Sequence, residues 1–360
     1  MQPLKEKTAS TISNLLLAWY DQGKRALPWR NTMDPYHVWI SEIMLQQTQV
    51  NTVIPYYHRF LEHFPSVGVL AQSPLEDVLK VWENLGYYSR ARHVHEAAKI
   101  ISRQFGGKMP ASWDDLIRLP GIGPYTAGAI LSIAFGQHVP AVDGNVRRVL
   151  CRLFAITDPI DQSKTQLRLR HLAEKLIPDH APGSFNQALM ELGALICKGS
   201  MPACDECPIQ HFCLAHLRIC QHRLPVMGKR MKPRHEISTA GILRDDRHRV
   251  LIVQRPARGL LGSLWKFPGG FVHPEETLSD GLHRTIREEL GLEISETKWA
   301  LSVKHAYTHF RMTLHAFHCM HDHTEPRALA CQDWKWISPH DLTTLPFSRA
   351  DRKVIASITF

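Results

Sequence analysis

The 360-residue sequence predicts a multidomain protein: an all-α region to about residue 220, a basic linker over 221–236 and an α+β region over 237–360. Three observations predict it. Apolar residues recur at helical spacing before residue 220, Pro and basic residues crowd 221–235, and short β-type runs flank a single helical segment beyond. The length suits two or three cores of roughly 100–200 residues.

Charge and cysteine usage narrow the class. With 44% hydrophobic and 21% charged residues the composition is that of a globular protein, and the net charge of +9 favours an anionic partner such as nucleic acid. No apolar run approaches the roughly 18 residues that span a bilayer. The start, MQPLKEKTAS, lacks the apolar core of an export signal, so a cytoplasmic, nucleoid-associated protein without membrane contact is expected. Five of the eight cysteines, Cys197, Cys204, Cys207, Cys213 and Cys220, share one short stretch, and such clustering reads as metal ligation rather than disulfides.

In chain order, the runs Ile12 to Trp19 and Val146 to Phe154 predict amphipathic helices. Asp34-Pro35 is a helix start, with an N-cap and a proline whose missing N–H costs nothing at the first position. The helix it opens, Tyr36 to Val50, is apolar nearly all round and should be buried. Glu42 then lies where a carboxylate is costly, and burial would raise its pKa until it holds a proton near neutral pH. An ordinary rim glutamate paired with an arginine is the competing reading.

Leu119-Pro-Gly-Ile-Gly-Pro-Tyr125 combines a glycine turn, at Gly121 and Gly123, with a helix opened by Pro124. That construction aims unpaired N–H groups at an anion, which for DNA is a backbone phosphate. In Val142-Asp143-Gly-Asn145-Val-Arg-Arg148, Asp143 is placed to cap the next helix. N-glycosidic hydrolysis needs an ionised carboxylate beside the anomeric carbon and an acid on the departing base. Asp143, held ionised by backbone N–H groups, and Glu42, held protonated, would form that pair. Cys197-x6-Cys204-x2-Cys207-x5-Cys213 places four thiolates on one loop, and a zinc site that also uses His211 or His216 fits the spacing too.

Together these residues resemble the endonuclease III superfamily of helix-hairpin-helix glycosylases, and within it the MutY-type adenine DNA glycosylases. The match extends over essentially the whole chain. Its specific carriers are Leu27-Pro-Trp-Arg30, Pro35-Tyr-x-Val-Trp-Ile-Ser-Glu42-Ile-Met-Leu-Gln-Gln-Thr-Gln-Val50 and Trp82-x-x-Leu-Gly-Tyr-Tyr-Ser-Arg-Ala-Arg92. The resemblance implies a six-helix part over about 30–135, a cluster part from the N-terminus and about 136–220, and a 4Fe-4S cluster on the four cysteines. It implies a monomer acting on double-stranded DNA that carries A:8-oxoguanine or A:G mispairs.

The implied roles follow. Glu42 protonates N7 of the flipped adenine, and Asp143 stabilises or transiently bonds the oxocarbenium carbon. Tyr125 and Asn145 position that centre, and Arg30 lies near the adenine. Gln47, Thr48, Leu85 and Tyr87 wedge the helix around the opposing base. Where bifunctional relatives carry a Schiff-base lysine, this chain has Tyr125, so base removal without strand cutting is expected, and a glycosylase-lyase is the alternative.

In the last region, Gly270, Glu276, Arg284, Ile286, Glu288, Glu289 and Gly291 resemble a Nudix box, with Thr285 where a glutamate is expected. Glutamates one turn apart could hold Mg²⁺ against a pyrophosphate, which makes nucleotide hydrolysis a second function class, and a silent DNA-binding protein a third. The resemblance instead implies a domain that reads 8-oxoguanine, with Tyr307-Thr308-His309 in place of a Phe-Ser-His loop.

Overall fold

The computed structural model describes residues 5–228, 234–307, 310–321 and 323–358. Its contacts divide into two units, Met1–Gln72 with Glu96–Arg230, and Ser73–His95 with Met231–Phe360.

The helices of the N-terminal half are α1 (Glu6–Gly23), α2 (Pro35–Leu45), α3 (Val50–His63), α4 (Val67–Gln72), α5 (Leu75–Val81), α6 (Ser89–Gln104), α7 (Trp113–Arg118), α8 (Pro124–Phe135), α9 (Gly144–Leu153), α10 (Ser163–Glu174), α11 (Pro182–Leu195) and α12 (Leu214–Leu217). Of these, α5 and the first half of α6 lie in the second unit. The capping residues act as the sequence predicts: the Asp34 carboxylate accepts the Tyr36 N–H at 2.8 Å, and Asp143 accepts the Val146 N–H at 2.7 Å.

One element differs. The helix expected to reach Val50 stops at Leu45, Gln47 turns left-handed with φ 57°, and α3 starts afresh. The apolar run is spent at Gln46-Gln-Thr-Gln49, so burial no longer holds the coil together. Instead the Gln46 amide reaches across to Thr126 Oγ1 at 3.2 Å.

Two features fix the framework. Helix α8 is buried through Thr126–Ser132 and packs against α2 and α11. The approach to α11 depends on Gly183, where a Cβ would stand 2.6 Å from the Ser132 carbonyl oxygen, and Gly128 likewise lets α8 lie on the Pro140 carbonyl, 2.2 Å from where its Cβ would be. Next, α1 closes on α9, α10 and α11 through Leu16, Leu150, Leu169, Phe185 and Leu189, so the chain's first helix completes a core made mostly from residues 146–192.

In the second unit, strands β1 (Arg234–Leu243), β2 (Val250–Gln254), β3 (Trp265–Lys266), β4 (Ile294–Ala306), β5 (Phe310–His321) and β6 (Asp333–Ile337) form two three-stranded sheets ordered β1-β5-β4 and β3-β2-β6. β1 pairs parallel to β5, and the other pairs are antiparallel. Helix α13 (Leu278–Leu290), capped by Thr277, lays Leu282, Ile286 and Leu290 on a core with Leu251, Val253 and Phe317. Helix α14 (Arg349–Ser357) contributes Ala350 and Val354 to a core with Ala240, Val303 and Leu314. The α+β class is as expected. Among the described residues no helix is long and apolar enough to cross a membrane.

Candidate active site

The first unit holds a cavity of about 800 Å3 whose wall includes Arg30, Glu42, Gln47, Thr48, Tyr125, Asp143 and Asn145. The sequence brought these residues forward one by one; the fold brings them together. Helix α2 delivers Glu42, the start of α8 delivers Tyr125, and the cap of α9 delivers Asp143 and Asn145.

Glu42 is 5% exposed and accepts a short hydrogen bond from the Tyr125 hydroxyl. Burial pushes its carboxyl up to about 7, with the Asp143 charge adding to the rise and the Tyr125 hydrogen bond and Arg30 opposing it. The acid form is thus half populated at neutral pH, as an acid catalyst requires.

Asp143 is held differently. One oxygen takes the Val146 N–H, the other takes Asn145 Nδ2 at 3.0 Å, and the Asn145 amide and the Arg148 charge also favour the anion. Burial nonetheless outweighs these donors and raises the carboxyl above its usual value. The N-cap expected at Asp143 is present, and the desolvation that opposes its backbone donors is a cost that sequence does not display.

Asn145 is itself fixed, since its Oδ1 accepts from Arg148 Nη2 at 2.8 Å while that guanidinium also donates to the carbonyls of Gly193 and Cys197. Gly193 permits the close approach, because a Cβ there would lie 2.7 Å from Asn145 Cβ.

Sequence reasoning missed Glu191, which is 1% exposed on α11 and also faces the cavity. Arg25 and Arg30 both grip it, Arg25 through Nε at 2.8 Å and Nη2 at 2.6 Å, and Arg30 through Nη1 at 3.0 Å and Nη2. Burial alone would raise this carboxyl, but the two guanidinium groups hold it at about 2. The signal was available, a lone carboxylate in the apolar Ala188-Leu-Met-Glu-Leu192, on the same reasoning that exposed Glu42.

At the hairpin, Gly121 has φ 77°, which a side chain would resist, and Ile122 is buried beneath the turn. Gly123 is extended and a Cβ there meets nothing within 4 Å, so the fold itself would accept a side chain. Its bareness leaves the backbone amides at the start of α8 open to an approaching ligand.

Leu85 and Tyr87 lie in the second unit and are not part of the cavity wall. Leu85, expected at a DNA-facing surface, is only 6% exposed, so the turn buries it; Tyr87 is 40% exposed. Tyr307 packs in parallel on Phe310 with ring centroids 4.7 Å apart, and burial pushes its hydroxyl up to about 12. Thr308 and His309 lie outside the described residues.

The four loop cysteines are free thiols, and Cys197, Cys207 and Cys213 pack against the core that α9 and α11 share. Arg152, 1% exposed, donates to Cys197 Sγ at 3.3 Å and to the Lys198 carbonyl at 2.6 Å, and the Cys213 thiol faces the Arg152 carbonyl at 3.4 Å. Among the described residues no three His, Cys, Asp or Glu side chains are grouped so as to hold a metal ion.

The Nudix-box carboxylates are already engaged by the protein's own cations. Lys266 Nζ lies 2.9 Å from Glu289, and Arg284 pairs with both Glu276, at 2.6 Å, and Glu288, at 3.1 Å. Thr285 turns its hydroxyl back to the Gly281 carbonyl and packs its methyl on Gly270.

Against known proteins, residues 40–175 match the model of the HhH-GPD superfamily of base excision DNA repair proteins, and 239–357 match the NUDIX domain. The adenine DNA glycosylase of Rattus norvegicus is 36% identical over 94% of this chain and 76% of its own length. This chain belongs to the adenine DNA glycosylase family. The Homo sapiens member is 35% identical over 94% of this chain and 72% of its own length, and that of Buchnera aphidicola subsp. Schizaphis graminum 45% over 58% and 60%. A solved thermostable thymine-DNA glycosylase superposes on 59% of this chain and 98% of its own, with TM-score 0.55 and 29% identity. An endonuclease III–DNA complex, at 24% identity and TM-score 0.52, shares the fold. The family likeness therefore extends across both the helical and the α+β regions.

Proposed function

We propose that this chain is a monofunctional base excision repair glycosylase that removes adenine mispaired with 8-oxoguanine or guanine in duplex DNA. The observation that carries the reading is the buried Glu42, titrating at about 7, facing Asp143 across a cavity large enough for an extruded nucleoside. Family membership supplies the base and the repair context.

In this mechanism Glu42 gives its proton to N7 of the flipped adenine, the bond from C1′ to N9 breaks with its electron pair leaving on the base, and cationic charge builds at C1′. Asp143 stabilises that carbon, directly or as a transient covalent partner, and water completes the hydrolysis. Tyr125 holds the Glu42 carboxyl in place, Asn145 holds Asp143, and Arg30, itself fixed by Glu191, lines the adenine side. Because Tyr125 offers no amine, no Schiff base forms with the sugar and strand cleavage is not expected.

The first-turn amides of α8, those of Tyr125 and Thr126 after the Gly123 cap, suit a phosphate of the DNA backbone. Cys197, Cys204, Cys207 and Cys213 would hold a 4Fe-4S cluster, which when bound pins a DNA-facing loop to α9. Tyr307, with Thr308 and His309, would read the 8-oxoguanine. With Lys266 on Glu289 and threonine at 285, the box is poorly suited to a divalent cation, so nucleotide hydrolysis is disfavoured.

One assay decides among these readings. A duplex with one A:8-oxoguanine pair is incubated with the protein, with and without later alkali. Breaks only after alkali support the proposal; breaks without alkali support a glycosylase-lyase; no base loss refutes both.

A further inference from the structure

The Tyr87 turn is left-handed at Asn84 (φ 72°), Gly86 (φ 78°) and Tyr87 (φ 48°), and it presents an exposed ring with the Arg90 guanidinium 5.3 Å from its centroid. Left-handed non-glycine residues cost free energy and persist only where the surroundings hold them. Here the surroundings are residues far along the chain in the same unit. Immediately before the turn, Glu83 Oε1 accepts the Phe347 N–H at 3.0 Å and Arg352 Nε at 2.7 Å, while Oε2 accepts Lys80 Nζ at 3.0 Å. Immediately after it, the Tyr88 hydroxyl donates to the Phe347 carbonyl at 3.3 Å and accepts the Asn84 N–H at 3.1 Å. One turn into α6, Arg92 donates to the Gly262 carbonyl at 2.9 Å, and at the head of α5 Glu76 accepts from the Trp265 indole.

Both feet of the turn thus stand on the segment from Phe347 to Arg352. We propose that Glu83 is a positioning residue: through Phe347 and Arg352 the C-terminal region sets the turn that presents Tyr87 for stacking on duplex bases. On this view the region contributes to mispair engagement by preorganising an aromatic ring as well as by touching DNA itself. The inference rests on the glycosylase reading above. It adds an energetic link between two sequence-distant parts of the chain, running through one carboxylate that is mostly buried.

The test is a double-mutant cycle on the full-length protein with Glu83→Gln, Tyr87→Ala and the pair. Two readouts are taken with a duplex carrying 2-aminopurine beside an A:8-oxoguanine pair: the Kd, and the quenching that reports an aromatic ring stacked on the probe. Glu83→Gln is expected to weaken binding about 5–50-fold and lose most of the quenching, while base excision at saturating protein falls less than threefold. The double variant is expected to bind no worse than Tyr87→Ala alone. Additive losses, or quenching untouched by Glu83→Gln, overturn the proposal. If Glu83→Gln lowers the melting temperature too far to be studied, Arg352→Gln takes its place under the same criteria. The quenching and Kd do not depend on turnover, so a wild type that binds and stacks yet removes no adenine refutes the glycosylase reading and leaves this one standing.

Discussion

Replacing Glu42 by glutamine removes the proton donor while keeping the side chain's shape, and the structure says how the loss should depend on pH. With its carboxyl at about 7, roughly half of the wild-type molecules carry the proton at pH 7, against about one in 300 for an ordinary glutamate near 4.5. The catalytic form is the acid, so the rate is flat below pH 7 and falls as pH rises through it. Single-turnover excision at saturating protein should change less than about 1.5-fold between pH 5.5 and 6.5 and drop roughly 90-fold between pH 6 and 9. An unshifted glutamate would lose about tenfold over that first interval alone. Glu42→Gln should abolish the limb along with most of the activity. Tyr125→Phe, which removes the hydrogen bond that lowers the Glu42 pKa, should shift the surviving limb to higher pH. A tenfold fall between pH 5.5 and 6.5, or an unmoved limb in Tyr125→Phe, would refute the account of how the acid is made.

Three further outcomes follow from the same geometry. The folded Glu42 pKa lies above the unfolded one, so relative to glutamine the wild type loses stability as pH climbs from about 4.5 through about 7, in total about 3 kcal/mol; Glu42→Gln should therefore raise the melting temperature at pH 8 and leave it nearly unchanged at pH 4.5. Glu191→Gln strands Arg25 and Arg30 with little compensating charge and should cost about 3–5 kcal/mol by urea denaturation, with adenine excision falling as Arg30 loses its anchor. Gly193→Ala forces Asn145 away from Asp143 and should slow excision about 10–100-fold while circular dichroism stays native, an effect that a parallel Gly199→Ala, where no atom lies within 4 Å, should not reproduce.

Legibility in the sequence followed burial and local chemistry. Caps at Asp34 and Asp143 could be read because each acts within a few residues of itself. Glu42 could be read because an apolar helix around a carboxylate announces desolvation. The break at Gln47 was passed over although the apolar run visibly ends at Gln46; what was not legible is the contact of Gln46 with Thr126, 80 residues away. Nor was the burial of Leu85, whose motif argued for an exposed surface until the turn around it was in place. Glu191 was passed over although its apolar setting was legible; its two arginines, 161 and 166 residues distant, were not, and the net pKa of Asp143 depends on enclosure that no linear pattern encodes. The cavity itself is a property of three helix ends meeting, and only the residue types at those ends were visible beforehand.

The packing of α1 has a consequence for how the protein is made. Its partners, α9 to α11, are reached only after another 120 or more residues, and Ser13 closes on the Leu176 carbonyl across a separation of 163. At ribosomal rates that interval is roughly 8–30 s, during which an amphipathic helix has left the ribosome with its apolar stripe uncovered. Birth order and assembly order therefore diverge: α1 is synthesised well before the helices it docks on, and a nascent chain stalled before residue 192 should be selectively sensitive to proteolysis within α1.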